Sequence, residues 1–345
     1  MMERSDKSQP VRQFLAILYF GTIAMFFATV WDESASAWLR DHHVEFIEPL
    51  LSPSVFEGES LGVGDVMIFS LIICLVLYLI ASVYEQKQRR SYMDVDVKWK
   101  VFYPSFFNTT AKMCSLRPQL GYILVNALCT AFLAVHVTKW VMARIRPGQV
   151  LREGLPYGPW YEVGPQFIAE GTYRGSLPSG HTALAMVTLG IAYCLIHCSG
   201  RTAIRYSGYL LYLATMVVAV LMALHRVMNH AHWLTDVVFA LFMCLLITHW
   251  LFHWGMRVPE RVGLARQNRL TGERPFSELL LCGYLTLFGL GIVLISFSVR
   301  SLLIPDTPLI AVLFPVGLGL CFFSMRSVFK LGIFLTGKKV RGDEK

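Results

Sequence analysis

The chain has 345 residues, of which 55% are hydrophobic and 16% charged, with a formal net charge of +8. A mean hydropathy of +0.51 makes it too apolar for a soluble globule, and its apolar runs are too interrupted for a fibre. This composition defines a polytopic membrane protein. Each spanning helix needs about 20 apolar residues, and eight segments approach that length, near 13–31, 64–84, 120–141, 181–198, 205–225, 233–254, 278–299 and 307–329. The predicted fold is therefore an all-α membrane helical bundle. The core is placed at residues 1–256 with six spans, and residues 257–345 add a basic loop, two further spans and a basic tail.

In chain order, the N-terminus carries Arg4, Lys7 and Arg12 before the first span. Basic residues, an apolar run and "SASA" at 34–37 imitate a cleaved secretory signal. The apolar stretch is longer than a signal core, and Asp32 and Glu33 precede the small residues, so a retained span is expected. Segment 32–63 then holds Asp32, Glu33, Asp41, Glu45, Glu48, Glu57 and Glu59 against Arg40 alone. Segment 85–118 is basic (Lys87, Arg89, Arg90, Lys98, Lys100, Lys112, Arg117) and mixes in Trp99, Phe102, Tyr103, Phe106 and Phe107, which suits a stretch lying on the inner membrane surface. Arg257, Arg261, Arg266, Arg269 and Arg274 follow span six, and Lys338, Lys339, Arg341 and Lys345 close the chain.

With alternating spans these basic segments share one side, and Lys and Arg accumulate on the cytoplasmic side. Both termini are thus expected in the cytoplasm. The positive charge is an orientation signal, with anionic lipid headgroups as partners and no nucleic acid. None of the eight cysteines sits in an outer loop, so no disulfide is expected. That absence and the compact loops favour a bacterial inner membrane. Cys194, His197 and Cys198 read as helix packing, and His249 and His253 as interfacial residues, rather than as metal ligands.

Three outer-side clusters concentrate functional groups. In "KWVMARIRP", Lys139 and Arg146 are seven apart and are expected to share a helix face before Pro147 stops the helix. Arg144 is expected to point elsewhere and meet headgroups. Taken alone, such a pair at a span end snorkels. In "GSLPSGHTALAMV", Ser179 is a plausible N-cap, and the amides of Gly180 and His181 sit where a helix start gathers an anion. His181 adds a titratable donor there. In "HRVMNHAHWLTD", His232 and Asp236 are spaced i, i+4, so the carboxylate could bond one imidazole nitrogen and leave the other as nucleophile or base. Asp236 lies in an apolar run, where an ionisable residue is costly. His230 lacks an Asp four residues on.

The topology brings all three clusters to one membrane face. Lys139, Arg146 and Arg226 supply cations, two histidines supply acid, base or nucleophile, and one carboxylate orients, a set that suits a dianionic phosphate. Carboxylate pairs or Cys/His clusters suited to Mg²⁺ or Zn²⁺ are absent from these motifs, so no cofactor is expected.

Lys139-x6-Arg146-Pro147, Pro178-Ser179-Gly180-His181 and Arg226-x5-His232-x3-Asp236 resemble the three-part signature of the type 2 phosphatidic acid phosphatase superfamily. The motifs cover 139 to 236, and His225 stands where members usually have Ser. The resemblance implies a membrane lipid phosphatase. His232 would form a phosphohistidine held by Asp236, and His181 would protonate the leaving oxygen and then activate water. Lys139, Arg146, Ser179, Gly180 and Arg226 would hold the phosphate oxygens. A lipid phosphotransferase or a phospholipid-binding or transport protein is the alternative. Membrane embedding points to a lipid phosphate, either a polyprenyl diphosphate, phosphatidic acid or phosphatidylglycerophosphate, or a lipid A-like glycolipid. The aromatic loop 148–174 is the expected headgroup selector.

Overall fold

The computed structural model describes residues 8–42, 63–94, 104–162, 175–267, 273–274, 276–303 and 308–332. The basic N-terminal residues Arg4 and Lys7, the middle of segment 85–118, residues 163–174 and the basic tail lie outside them.

In chain order the helices are α1 (Gln9–Val30), α2 (Asp32–Asp41), α3 (Val63–Asp94), α4 (Pro104–Ala127), α5 (Val135–Met142) and α6 (Pro147–Glu153). They continue as α7 (Gly180–Ala185), α8 (Leu189–Cys198), α9 (Thr202–Met228), α10 (Leu234–Trp250), α11 (Val258–Arg266), α12 (Ser277–Leu303) and α13 (Leu313–Leu331). Wider π-helical turns join α4 to α5 at Leu128–Ala134 and extend α10 at Leu251–Gly255. Among the described residues no strand occurs, and eight segments are long and apolar enough to cross a membrane. They coincide with the eight expected spans to within a few residues at most ends; the third segment, Leu116–Glu153, runs further at both.

Side-chain exposure explains why the bundle needs lipid. Leu210 and Phe322 are each 70% exposed, and they belong to apolar belts that would aggregate in water but are at no disadvantage against acyl chains. The inside is different. Ala183, Ala185, Leu189, Ala219 and Cys244 are fully buried where α7, α8, α9 and α10 meet, and small residues there let the helices approach closely.

One expectation fails in the third span. Lys139 and Arg146 do not share one helix face, because the helix ends at Met142 and Ala143 takes a left-handed conformation with φ of 47°. Nor does Pro147 stop a helix. It occupies the first turn of α6, where its missing N–H costs nothing. The break is held by bonds that a continuous helix would forbid: Ser176 N–H donates to Arg144 C=O at 2.7 Å and the Trp233 indole donates to Ile145 C=O at 2.8 Å.

At the end of the bundle opposite this break, five charged residues are buried together. Arg117 meets Glu85 at 2.6 Å and Glu273 at 2.7 Å, Arg261 meets Glu273 at 2.6 Å, and Glu278 takes both guanidiniums and the Tyr78 hydroxyl. Such a cluster is tolerable only because each charge has an opposite partner. It ties α12 to the core through Glu278. The eighth span then lies against the seventh through glycines. A Cβ on Gly291 would stand 2.8 Å from the Gly317 carbonyl oxygen and 2.6 Å from Cys321 Sγ.

Gly291→Val should therefore push α13 away and destabilise the protein by about 1–3 kcal/mol. Thermal unfolding in detergent would check this, and an unchanged midpoint would show that the two helices are not packed this closely.

Candidate active site

The three motif clusters converge on one cavity of about 530 Å³. Lys139, Arg146, Gly180, His181, Arg226 and His232 all line it. They come from the end of α5, the start of α6, the start of α7, the end of α9 and the turn before α10.

Close backbone approach makes this convergence possible. A Cβ on Gly175 would stand 2.9 Å from the Lys139 carbonyl oxygen, so only glycine lets the segment leading to α7 lie against α5. Ser179 caps α7, its hydroxyl oxygen accepting from Thr182 N–H at 3.4 Å and from the Thr182 hydroxyl at 2.9 Å. Ser179 is fully buried and stands behind the cavity wall, while Gly180 and His181 form the wall itself. The Lys139 amine lies 4.0 Å from where a Gly180 Cβ would be.

The turn between α9 and α10 selects one histidine of three. His230 adopts φ of 53°, and its carbonyl accepts from Gly148 N–H at 2.9 Å, which links this turn to α6. His225 is buried and its Nε2 accepts from Asn229 Nδ2 at 2.8 Å. Neither lines the cavity, whereas His232 does. His225 thus does not line the cavity.

His232 Nδ1 lies 3.6 Å from Asp236 Oδ2, slightly beyond hydrogen-bond length. Burial holds the His232 imidazole well below its ordinary value, to about 4, and the Asp236 carboxylate only partly opposes this. At neutral pH the ring is uncharged, with a lone pair available for attack on an electrophile.

Asp236 has stronger partners than His232. Its Oδ1 accepts from Arg144 at 2.7 Å, and its Oδ2 accepts from Trp233 N–H at 2.9 Å and from the Ser176 hydroxyl. Arg144 therefore does not meet headgroups. It is 4% exposed, and its guanidinium also donates to Asp32, to Thr235 Oγ1 at 2.7 Å and to Gly158 C=O at 3.0 Å. It lies against both the Tyr157 and Trp233 rings, 5.8 and 5.5 Å from their centroids.

Asp32 completes the network from the end of the first span. It is 2% exposed, and besides Arg144 it accepts from Thr235 N–H at 2.8 Å, Thr235 Oγ1 at 2.9 Å and the Tyr157 hydroxyl at 3.0 Å. Its carboxylate therefore satisfies a donor at the start of α10, the helix that carries Asp236. Two carboxylates against one guanidinium leave one net negative charge beside His232.

Sequence reasoning missed Asp32, Arg144 and Ser176 as members of the site. Arg144 carried a signal in being an arginine at a span end, but partner choice over a hundred residues of chain is not legible in spacing. The described part of the aromatic loop also lies differently from expectation. Tyr157 and Trp160 turn toward the first span, Trp160 donating to Thr29 Oγ1 at 2.8 Å, and neither lines the cavity. The histidines near the far end of span six are packing residues. His249 contacts the Tyr193 hydroxyl at 3.1 Å and the Pro10 carbonyl at 2.9 Å, and its ring centroid lies 4.5 Å from that of His253.

The fold is thus an all-α bundle with membrane-spanning helices, and its cation-lined cavity contains a buried histidine beside a carboxylate. Residues 120–259 match the PAP2 superfamily, and that stretch holds all three motifs. This superfamily includes lipid phosphatases. Neither a curated protein nor a solved structure matches the chain.

Removing the central guanidinium would leave Asp32 and Asp236 buried and facing one another. Arg144→Ala should cost about 3–5 kcal/mol of stability, and Arg144→Lys should recover only part, since a single ammonium cannot reach both carboxylates and the Gly158 carbonyl. Thermal unfolding in detergent would check both variants. Wild-type stability in Arg144→Ala would refute the network.

Proposed function

We propose that the protein is an integral membrane lipid phosphatase that hydrolyses a phosphate monoester or diphosphate through a phosphohistidine on His232. The observation that carries this reading is that six motif residues from five elements line one cavity, cations and histidines together. Ile68 belongs to its wall and is 48% exposed, and on this reading a phosphate sits among the cations while its acyl or prenyl chain stays in the bilayer.

The chemistry follows from the orientation of the imidazole. Its Nδ1 faces Asp236, so Nε2 attacks phosphorus and the bond to the leaving oxygen breaks. His181 gives that oxygen its proton. The net negative charge at Asp236 steadies the positive ring as the phosphorus–nitrogen bond forms. His181, now unprotonated, takes a proton from water, whose oxygen attacks phosphorus and releases phosphate and free His232. Lys139, Arg146 and Arg226 hold the oxygens while charge builds, with the Gly180 amide beside them and Ser179 fixing the helix start. Three fixed cations supply the charge that a metal ion would otherwise bring. We place this site on the outer face of a bacterial inner membrane with both termini cytoplasmic, a reading supported by the distribution of Lys and Arg among the loops.

The test is phosphate release by detergent-purified protein from a panel of lipid phosphates, with chelator present. His232→Ala should reduce release by about a thousandfold or more while leaving the fold intact. Release that persists in His232→Ala, or that the chelator abolishes, would refute the mechanism. Formation of a new phosphorylated lipid from a donor and an acceptor would instead mark a phosphotransferase. The pH dependence has a definite sign. Because burial keeps the proton off His232 down to about pH 4, kcat/KM corrected for ionisation of the substrate should not lose its nucleophile between pH 7 and 5. A fall in the corrected kcat/KM between pH 7 and 5 would contradict it.

A further inference from the structure

Four arginines are buried among the described residues, and three of them are neutralised within the protein. Arg117 meets Glu85, Glu273 and Glu278, Arg144 meets Asp32 and Asp236, and Arg261 meets Glu273 and Glu278. Arg300 is the exception. It lies in the last turn of α12 and is 8% exposed, and its Nη2 is buried without a hydrogen-bond partner. The one carboxylate on α12 is Glu278, at the opposite end of the helix. The guanidinium lies over the Phe297 ring, 5.7 Å from its centroid. A ring face offsets only part of the cost of burying a charge.

The surroundings say what could supply the missing anion. Phe297 meets Trp140, their ring centroids 4.8 Å apart, and Trp140 lines the catalytic cavity. Arg300 therefore stands at the same end of the bundle as the candidate active site, although it does not line that cavity. The Ser298 hydroxyl donates to the Ala311 carbonyl at 3.0 Å, which sets this end of α12 against the turn before α13. The outward surface here is apolar, with Val299 43% and Val312 61% exposed. A long cationic side chain at a span end ordinarily extends its head into water, but this one is held among apolar side chains.

We infer that Arg300 is a binding site for the phosphate of an anionic membrane lipid, separate from the site of reaction. A guanidinium offers two parallel N–H donors to two phosphate oxygens. The exposed valines beside it suit acyl chains, which a free phosphate ion lacks. The lipid supplies here the negative charge that carboxylates supply at the other three arginines. The inference does not rest on the phosphatase reading.

The experiment is thermal unfolding of the delipidated full-length protein in dodecyl maltoside. Wild type, Arg300→Met and Arg300→Lys are compared alone and with phosphatidylglycerol, phosphatidylcholine or inorganic phosphate. On the phosphatase reading inorganic phosphate also enters the cavity, so the quantity read is the part of each shift that Arg300→Met removes. Without lipid, Arg300→Met should unfold at or above the wild-type midpoint, because it removes a buried charge that has no partner to lose. Phosphatidylglycerol should raise the wild-type midpoint by about 2–4 °C more than that of Arg300→Met. Arg300→Lys should fall between them, since an ammonium lacks the planar fork. An Arg300→Met midpoint well below wild type without lipid would reveal a partner inside the protein and overturn the inference. So would equal phosphatidylglycerol shifts in wild type and Arg300→Met, or an Arg300-dependent shift as large with phosphatidylcholine or inorganic phosphate as with phosphatidylglycerol.

Discussion

The ion pairs of Arg144 with Asp32 and Asp236 are the constraint on which the site depends. A guanidinium with this little exposure can be retained only if its donors are met, and here two carboxylates, a threonine hydroxyl and a backbone carbonyl meet them. Three separate pieces of chain are thereby held together: the end of the first span, the broken end of the third and the start of the sixth. The same network sets the charge beside His232. With Arg144 and Asp236 alone the pair would be neutral, and the imidazole would gain little from its neighbour. Asp32 restores one negative charge while also bonding the Thr235 amide, so the orientation and the electrostatics of α10 come from one side chain.

That network also explains why the third span breaks where it does. Four helical residues beyond Met142 would carry Arg144 around the helix and away from Asp236. The left-handed turn at Ala143 instead sends Arg144 inward and lets the Arg144 and Ile145 carbonyls accept from Ser176, in the segment before α7, and from Trp233. Left-handed alanine is unfavourable, and the bonds gained by the turn offset that cost. Lys139 and Arg146 then reach the same cavity from different elements. Motif spacing read as helical periodicity leads to the correct neighbours through an incorrect backbone.

The membrane spans were legible because hydropathy over about twenty residues is a strong and local signal, and the eight apolar segments emerge at the expected positions. The candidate site was legible where one motif contains both partners, as with His232 and Asp236 or with the cap at Ser179. It was illegible where partners are distant in sequence. Asp32 looked like one acid among seven in an outer segment, and nothing in its neighbourhood marked it for burial. Ser176 looked like a turn residue. Asp65 and Trp140 had no motif around them, and only the shared cavity shows that they face the same space as the cations.

The seventh span lies beyond the stretch that matches the superfamily, and it bears on the cavity through the third span, since no residue of α12 lines that cavity. At one end Glu278 joins the buried charge cluster around Arg117, and a side chain on Gly121 of α4 would strike it at 2.5 Å. Midway, Gly289 lets α12 approach Leu133 and Val137, and at the other end Phe297 meets Trp140. The third span is thus backed along its whole length, including the π-helical turn at Leu128–Ala134. Such a turn inserts an extra residue and would leave an isolated helix weak at that point. Pressed from behind by α12, the turn keeps Ala131 on the cavity wall, and Trp140 cannot swing away from it. An added pair of helices at the edge of the bundle therefore steadies the cavity wall formed by Ala131 and Trp140.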